Sequence, residues 1–182
     1  CELGASWPGR FFAVNISPVQ LRNPCFANYL LGMLEQTGMR PHDLEIEITE
    51  GILLDDETTA ATAIGRLRDA GVRIALDDFG TGYSSLNYLK RYPVDRIKVD
   101  RSFISQLPHA GASAAIVEAM VRLAHALGIM VTAEGVETAE QHRLLLGMGC
   151  DTFQGFLFSP PLAASEIATV FAAVPEAPAR VA

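Results

Sequence analysis

Positive charge is scarce in this sequence: 14 Lys and Arg stand against 21 Asp and Glu, a formal net charge of −7. So acidic a chain lacks the basic footprint that binding along a nucleic-acid polymer requires, and that function class is set aside. A phosphorylated small ligand is still compatible, because bound cations reverse the local sign of a site. Cysteine is scarce as well. Cys1, Cys25 and Cys150 are odd in number and widely spaced. No Cys-x-x-Cys or Cys/His cluster appears, so neither a zinc site nor a disulfide framework is suggested, and a reducing cytosol fits best. No apolar run reaches the ~20 residues that span a bilayer. Gly80-Thr81-Gly82 lacks the Gly-Lys-Ser/Thr of a P-loop and reads as a turn. His42, His109, His125 and His142 fall in loop or helix patterns and read as structural or exposed.

What is present is a repeated unit. A helical stretch ends in Gly, a short apolar strand follows, and a polar residue closes the strand. The glycines are Gly38, Gly71, Gly128 and Gly149, placed where a helix C-cap needs a left-handed residue. Strands are predicted at "FFAVNIS" (11–17), "LEIEITE" (44–50), "VRIALDD" (72–78), "RIKVD" (96–100), "IMVTAEGV" (129–136) and "TFQGFLF" (152–158). Helices are predicted at 24–37, 56–70, 83–91, 112–127, 138–148 and 164–173. Thr138 with Gln141 three residues on is a capping box, and Asp55 and Asp56 read as helix caps. The tail "VPEAPARVA" (174–182) reads as frayed, leaving residues 1–173 as the domain.

Strict alternation of strand and helix predicts an α/β fold with a parallel sheet and helices outside. A doubly wound sheet and a (β/α) barrel both satisfy it. Glu45, Glu47, Arg73, Arg96 and Lys98 interrupt the strands at alternating positions. An open parallel sheet buries both faces under apolar helices, where such charges are costly. A barrel has an inner face on which they can meet. The expectation is therefore a TIM-type barrel with six strands of eight, short of two at its N-terminus. "CELGASWPGR" (1–10) reads like the end of a helix and a loop, as if the chain were cut inside a larger protein.

Chemistry in parallel α/β folds collects at the C-terminal ends of strands. Those ends carry Asn15 and Ser17; Glu47 and Glu50; Asp77 and Asp78; Lys98 and Asp100; Glu134 and Glu137; and Gln154. The inventory is oxygen ligands plus one lysine, which suits Mg²⁺ or Mn²⁺ rather than zinc. Five carboxylates around one mouth exceed the need of one ion, and a two-metal site that activates water and clamps the oxygens of an in-line displacement at phosphorus is the natural reading. Adjacent Asp77 and Asp78 would then be neutralised by dications. A strand-end carboxylate taken singly is ordinarily a helix cap or a solvated loop residue; it is the convergence of six ends that favours a site.

The segments "VNIS" (14–17), "EITE" (47–50), "DDFGTGYSSL" (77–86), "IKVDRSFI" (97–104), "AEGVET" (133–138) and "GCDTFQGFLFSPPL" (149–162) resemble, in order and spacing, the EAL-domain family of cyclic di-GMP phosphodiesterases. The resemblance implies a modified TIM barrel that hydrolyses cyclic di-GMP to linear pGpG with two Mg²⁺ or Mn²⁺ ions. It implies Asn15, Glu47 and Asp77 as ligands of the first metal. Asp77 would bridge to a second metal that Asp78 and Glu134 also bind. Lys98 would hold the attacking water and help lower its pKa, so that Lys98, Glu134 and Asp77 form the catalytic set. Glu137 and Asp100 would support Lys98 and the ligands. Glu50 would anchor the loop after Asp78, and Gln154 would contact substrate. A cytoplasmic location, a homodimer through the loop and helix after Asp78, and fused sensory or GGDEF domains are implied as well; nothing bears on membrane attachment. The name-giving Glu-Ala-Leu motif is absent from these residues. Two other readings remain: a degenerate receptor that binds the dinucleotide without cutting it, or a TIM-barrel phosphodiesterase for another substrate.

Overall fold

Six short strands carry the molecule: β1 (Phe12–Asn15), β2 (Leu44–Thr49), β3 (Arg73–Phe79), β4 (Arg96–Val99), β5 (Met130–Glu134) and β6 (Thr152–Gln154). All neighbours pair in parallel, in the order β1-β2-β3-β4-β5-β6. Sequential parallel order with curl is the barrel arrangement, and the sheet is a half-barrel with helices packed outside. The computed structural model describes residues 1–5, 7, 9–51, 57–81, 89, 92–109 and 111–167. The expected helix at 83–91, apart from Leu89, the caps at Asp55 and Asp56, and the tail at 174–182 lie outside the described residues.

The helices are α1 (Glu2–Ala5), α2 (Pro18–Leu21), α3 (Phe26–Thr37), α4 (Glu57–Asp69), α5 (Arg101–Ile104), α6 (Gly111–Ala126) and α7 (Ala139–Met148). In α3 the buried Phe26, Leu30 and Leu34 recur every four residues, one stripe of a helix. The capping box of Thr138 and Gln141 opens α7. All four predicted cap glycines adopt positive φ, from 71° to 97°. Two short helices were not expected: α2, opened by a Ser17–Gln20 capping box, and α5, opened by Asp100. Both follow a strand directly, so their few residues carry no helical period to read.

The period-2 alternation of strands divides the sheet into two chemistries. Ile46, Ile48, Ile74, Leu76, Ile97, Val99, Val131 and Ala133 are buried toward the helices, where they join Leu30, Leu34, Ile64, Leu67, Val117, Val121 and Leu145. Each fully buried aliphatic side chain contributes about 1.5–3 kcal/mol. The alternate residues, Glu45, Glu47, Arg96, Lys98 and Thr132, are also buried. They face the concave side, as the barrel reading required. "TFQGFLF" departs from expectation: only Thr152–Gln154 is strand, and residues 155–158 turn away. The reason is Gly155, which abuts the Val136 backbone so closely that a Cβ would collide with it, and from which the chain turns back as Phe158 N–H donates to Gly155 O at 3.1 Å.

Candidate metal and substrate site

The inner face holds two layers of polar side chains, two residues apart on the same strands. In the lower layer Arg96 Nε donates to Glu45 Oε2 at 3.1 Å. Its Nη1 donates to the hydroxyls of Thr132 and Thr152 at 3.0 and 2.7 Å. The guanidinium also lies 6.0 Å from the ring centre of Phe11. Burial pushes the Glu45 carboxyl up, and Arg96 opposes that push.

One turn of the pleat further on, at the C-terminal mouth, stands Lys98, only 4% exposed. Its Nζ is 2.8 Å from Glu47 Oε2, 3.2 Å from Asp77 Oδ1 and 2.7 Å from Glu134 Oε1. Burial works against the ammonium, but its hydrogen bonds to Glu134 and Glu47 outweigh burial and hold it above the ordinary lysine value. Burial raises the Glu134 carboxyl, Lys98 opposes, and Asp77 and Glu47 add repulsion. Asp78 is raised by burial and by the neighbouring Asp77 and Asp100.

How two consecutive residues reach one mouth is answered by the register of β3 and β4. Pairing passes from Leu76↔Ile97 to Phe79↔Val99. Asp77 and Asp78 together therefore oppose the single residue Lys98, which is a β-bulge. Asp78 takes φ +54°, among the few conformations of this kind an Asp tolerates. Its N–H, released from the ladder, donates to Asp77 Oδ1 at 3.0 Å. The consequence is a cluster: carboxylate oxygens of Asp77, Asp78 and Glu134 all lie within 4.8 Å of one another.

The remaining residues take distinct places. Asn15 is exposed on β1 and pairs in register with Glu47. Gly80 N–H donates to Glu50 Oε1 at 3.2 Å, tying the segment after Asp78 back to the end of β2. Asp100 caps α5, accepting from Ser102 N–H at 2.9 Å. Burial would raise its carboxyl, but the hydrogen bonds from Ser102 and the Arg101 backbone hold it below the usual carboxylate range. Gln154 pairs in register with Glu134. A cleft of about 340 Å³ opens beside the cluster, lined by Asp78, Asp100, Glu134, Glu137, Gln154 and Phe156, among others. A larger cavity of about 480 Å³, at Arg68, Arg73, Asp95 and Met130, opens at the strands' N-terminal ends, away from this chemistry. The threonine hydroxyls of the lower layer and Phe156 were not singled out by the sequence; both hide behind residue types that look like ordinary strand filling.

The donor set fits divalent cations of the Mg²⁺ or Mn²⁺ type. It is all oxygen, and four carboxylates (Glu47, Asp77, Asp78 and Glu134) meet one ammonium. That surplus of negative charge in a partly buried site calls for further positive charge.

Comparison with known proteins agrees with this geometry. A family model described as the EAL domain matches residues 3–161. MucR of Pseudomonas aeruginosa, a bifunctional diguanylate cyclase/cyclic di-GMP phosphodiesterase, is 40% identical over 155 residues, covering 85% of this chain and 23% of that protein. The solved structure of the MucR phosphodiesterase in complex with c-di-GMP superposes with a TM-score of 0.86 at 38% identity, over 92% of this chain and 70% of that one. A manganese and cyclic di-GMP complex of Klebsiella pneumoniae BlrP1 gives a TM-score of 0.84 at 37% identity, over 90% of this chain and 42% of that one. The chain spans about a fifth of the length of the curated relatives it matches. Among the described residues no helix is long and apolar enough to cross a membrane. The chain belongs to the EAL domain family.

Proposed function

We propose that this chain is the catalytic part of a phosphodiesterase that hydrolyses cyclic di-GMP to linear pGpG in the cytoplasm, using two Mg²⁺ or Mn²⁺ ions. The observation that carries the reading is the cluster of Asp77, Asp78 and Glu134 closed on Lys98 at the strands' C-terminal mouth. Asn15, Glu47 and Asp77 would hold one ion, and Asp77, Asp78 and Glu134 the other. Such ions, when bound, supply positive charge that eases ionisation of water and offsets charge on phosphoryl oxygens.

The chain's own residues do the rest. Lys98, held by those carboxylates, would act as a hydrogen-bond donor and positive charge beside the attacking water. Its three carboxylate partners hold Nζ in place. Water attack at one phosphorus breaks one P–O3′ bond of the ring; the product is linear, with a 5′-phosphate and a free 3′-hydroxyl. Glu50 positions the backbone after Asp78 through Gly80. Asp100 and Glu137 line the cleft behind the cluster, and Gln154 faces the substrate from β6. The chain's short span of its relatives, and the two activities in MucR's name, support a place in a larger protein with sensory or GGDEF domains. A homodimer through the segment after Asp78 belongs to the same reading; that segment lies outside the described residues.

The test is incubation with cyclic di-GMP and Mn²⁺, followed by separation of products, with Asp77→Ala alongside. The expected product is pGpG, abolished by the substitution. Dinucleotide binding without turnover would favour a receptor instead, and turnover that survives Asp77→Ala would refute the assigned site.

A further inference from the structure

Among the described residues two helices open on a capping box of the same design, and the two glutamines differ in what else they do. In α2, Gln20 is exposed, and its amide oxygen accepts from Ser17 N–H at 3.0 Å and from the Ser17 hydroxyl at 2.9 Å. In α7, Gln141 is only 5% exposed. Its Oε1 accepts from Thr138 N–H at 3.0 Å, which completes the box, and also from Glu137 N–H at 2.9 Å. Its Nε2, which a capping box does not use, donates to Ile104 O at 3.1 Å, with Leu107 O a longer second acceptor at 3.5 Å. A glutamate here would complete the box and suit the helix dipole better, but it has no hydrogen to offer those carbonyls. The two segments so joined line one cleft. Asp100 and Arg101 come from the head of α5, whose last residue is Ile104; Glu134, Gly135 and Glu137 come from the end of β5 and the turn after it. These walls also meet at Gly135, where a Cβ would collide with that of Arg101.

We infer that Gln141 is a positioning residue for the reaction: its buried amide, spanning from Glu137 N–H to the Ile104 carbonyl, fixes the wall that bears Glu137 against the wall that bears Asp100. The inference rests on the function proposed above and adds to it a residue that acts through Glu137. Glu137 stands one residue before the cap, so its N–H lies outside the helix, and the Gln141 oxygen holds it directly. Displacement of that backbone carries the Glu137 carboxylate with it. A misplacement of about 1 Å in such a support costs up to about 100-fold in rate.

The test is turnover of cyclic di-GMP with Mn²⁺ by the whole chain, by Gln141→Glu, Gln141→Met, Thr138→Ala and Glu137→Gln, and by the double variant Glu137→Gln with Gln141→Glu. Amide NMR spectra of the metal-free proteins accompany it. Both Gln141 variants are expected to lose about 10- to 100-fold in kcat with KM within about threefold; either one that melts cooperatively suffices. Thr138→Ala, which loses the cap but keeps the bridge, is expected to melt earlier and to turn over within about twofold of the unsubstituted chain. The double variant is expected to be no slower than Glu137→Gln alone, because both substitutions act on one group. Without metal, Gln141→Glu is expected to shift amide signals at residues 100–107 as well as at Glu137. An equal loss of turnover in Thr138→Ala would overturn the inference, since fraying of α7 would account for it. So would multiplied losses in the double variant, full turnover by Glu137→Gln or by the Gln141 variants, or unmoved signals at 100–107. Failure of both Gln141 variants to fold would assign Gln141 to stability and overturn it too. Absence of turnover in the unsubstituted chain would overturn the proposed function, and this inference with it.

Discussion

The two polar layers of the inner face are built from the same strands and differ in one respect, their charge balance. The lower layer pairs Glu45 with Arg96, sets Arg73 beside Glu45 in register, and completes the Arg96 guanidinium's hydrogen bonds with two threonine hydroxyls. It carries no surplus of negative charge. The upper layer sets four carboxylates around one lysine and cannot be neutral by itself. Glu45 and Glu47 are neighbours on one strand face, yet one belongs to a hydrogen-bonded pair and the other to a cluster with a surplus of negative charge. Burial alone does not mark a functional charge; a surplus of one sign does.

Removing the central cation of each layer should separate them most strongly. Arg96→Met leaves Glu45, 2% exposed, without its hydrogen-bonded counter-charge, and should cost roughly 3–5 kcal/mol in urea denaturation. Mn²⁺ should recover none of it. Lys98→Met should destabilise the metal-free chain, but millimolar Mn²⁺ should recover most of the loss by supplying charge where the ammonium stood. Equal rescue of the two variants would erase the distinction. A smaller break comes from Thr152→Val, which deletes the 2.7 Å bond from Arg96. A loss of roughly 1.5–3 kcal/mol is expected for a bond to a charged group, with Mn²⁺ affinity unaltered; weakened Mn²⁺ binding would mean the layers are coupled. The smallest effect has the opposite sign. Glu134→Gln should stabilise the metal-free chain by about 1 kcal/mol, because it removes the burial of a charged carboxylate, with relief of repulsion by Asp77 and Glu47 adding to it, while reducing Mn²⁺ binding at least tenfold. A lower melting temperature in EDTA would show that Glu134 is not in surplus.

Much of this was legible in the sequence. Alternating Glu45, Glu47, Arg96 and Lys98 announced a polar inner face, and the glycine caps placed the strands between helices. What was not legible depends on tertiary contact. Strand alternation would send Asp77 and Asp78 to opposite faces; only the pairing of β3 with β4 exposes the bulge that unites them. "TFQGFLF" has a perfect strand composition, but Gly155 stops the strand because another backbone occupies the space beside it. Thr132 and Thr152 become partners of Arg96 only through packing across three strands.

The bulge has one further consequence, in the parity of β3. Before it, odd-numbered residues face inward: Arg73, Ala75, Asp77. At Asp78 the count skips, and Phe79 returns to the apolar side as though nothing had been inserted. A strand normally delivers an inward side chain every second residue; this one delivers two carboxylates in succession. The cost is a left-handed backbone at Asp78, on the order of 1–2 kcal/mol for a residue with a side chain. Asp78→Gly would remove that cost and the second carboxylate together. Strength of the strand and reach of the site are therefore opposed at a single residue, and the protein has settled that opposition in favour of the site.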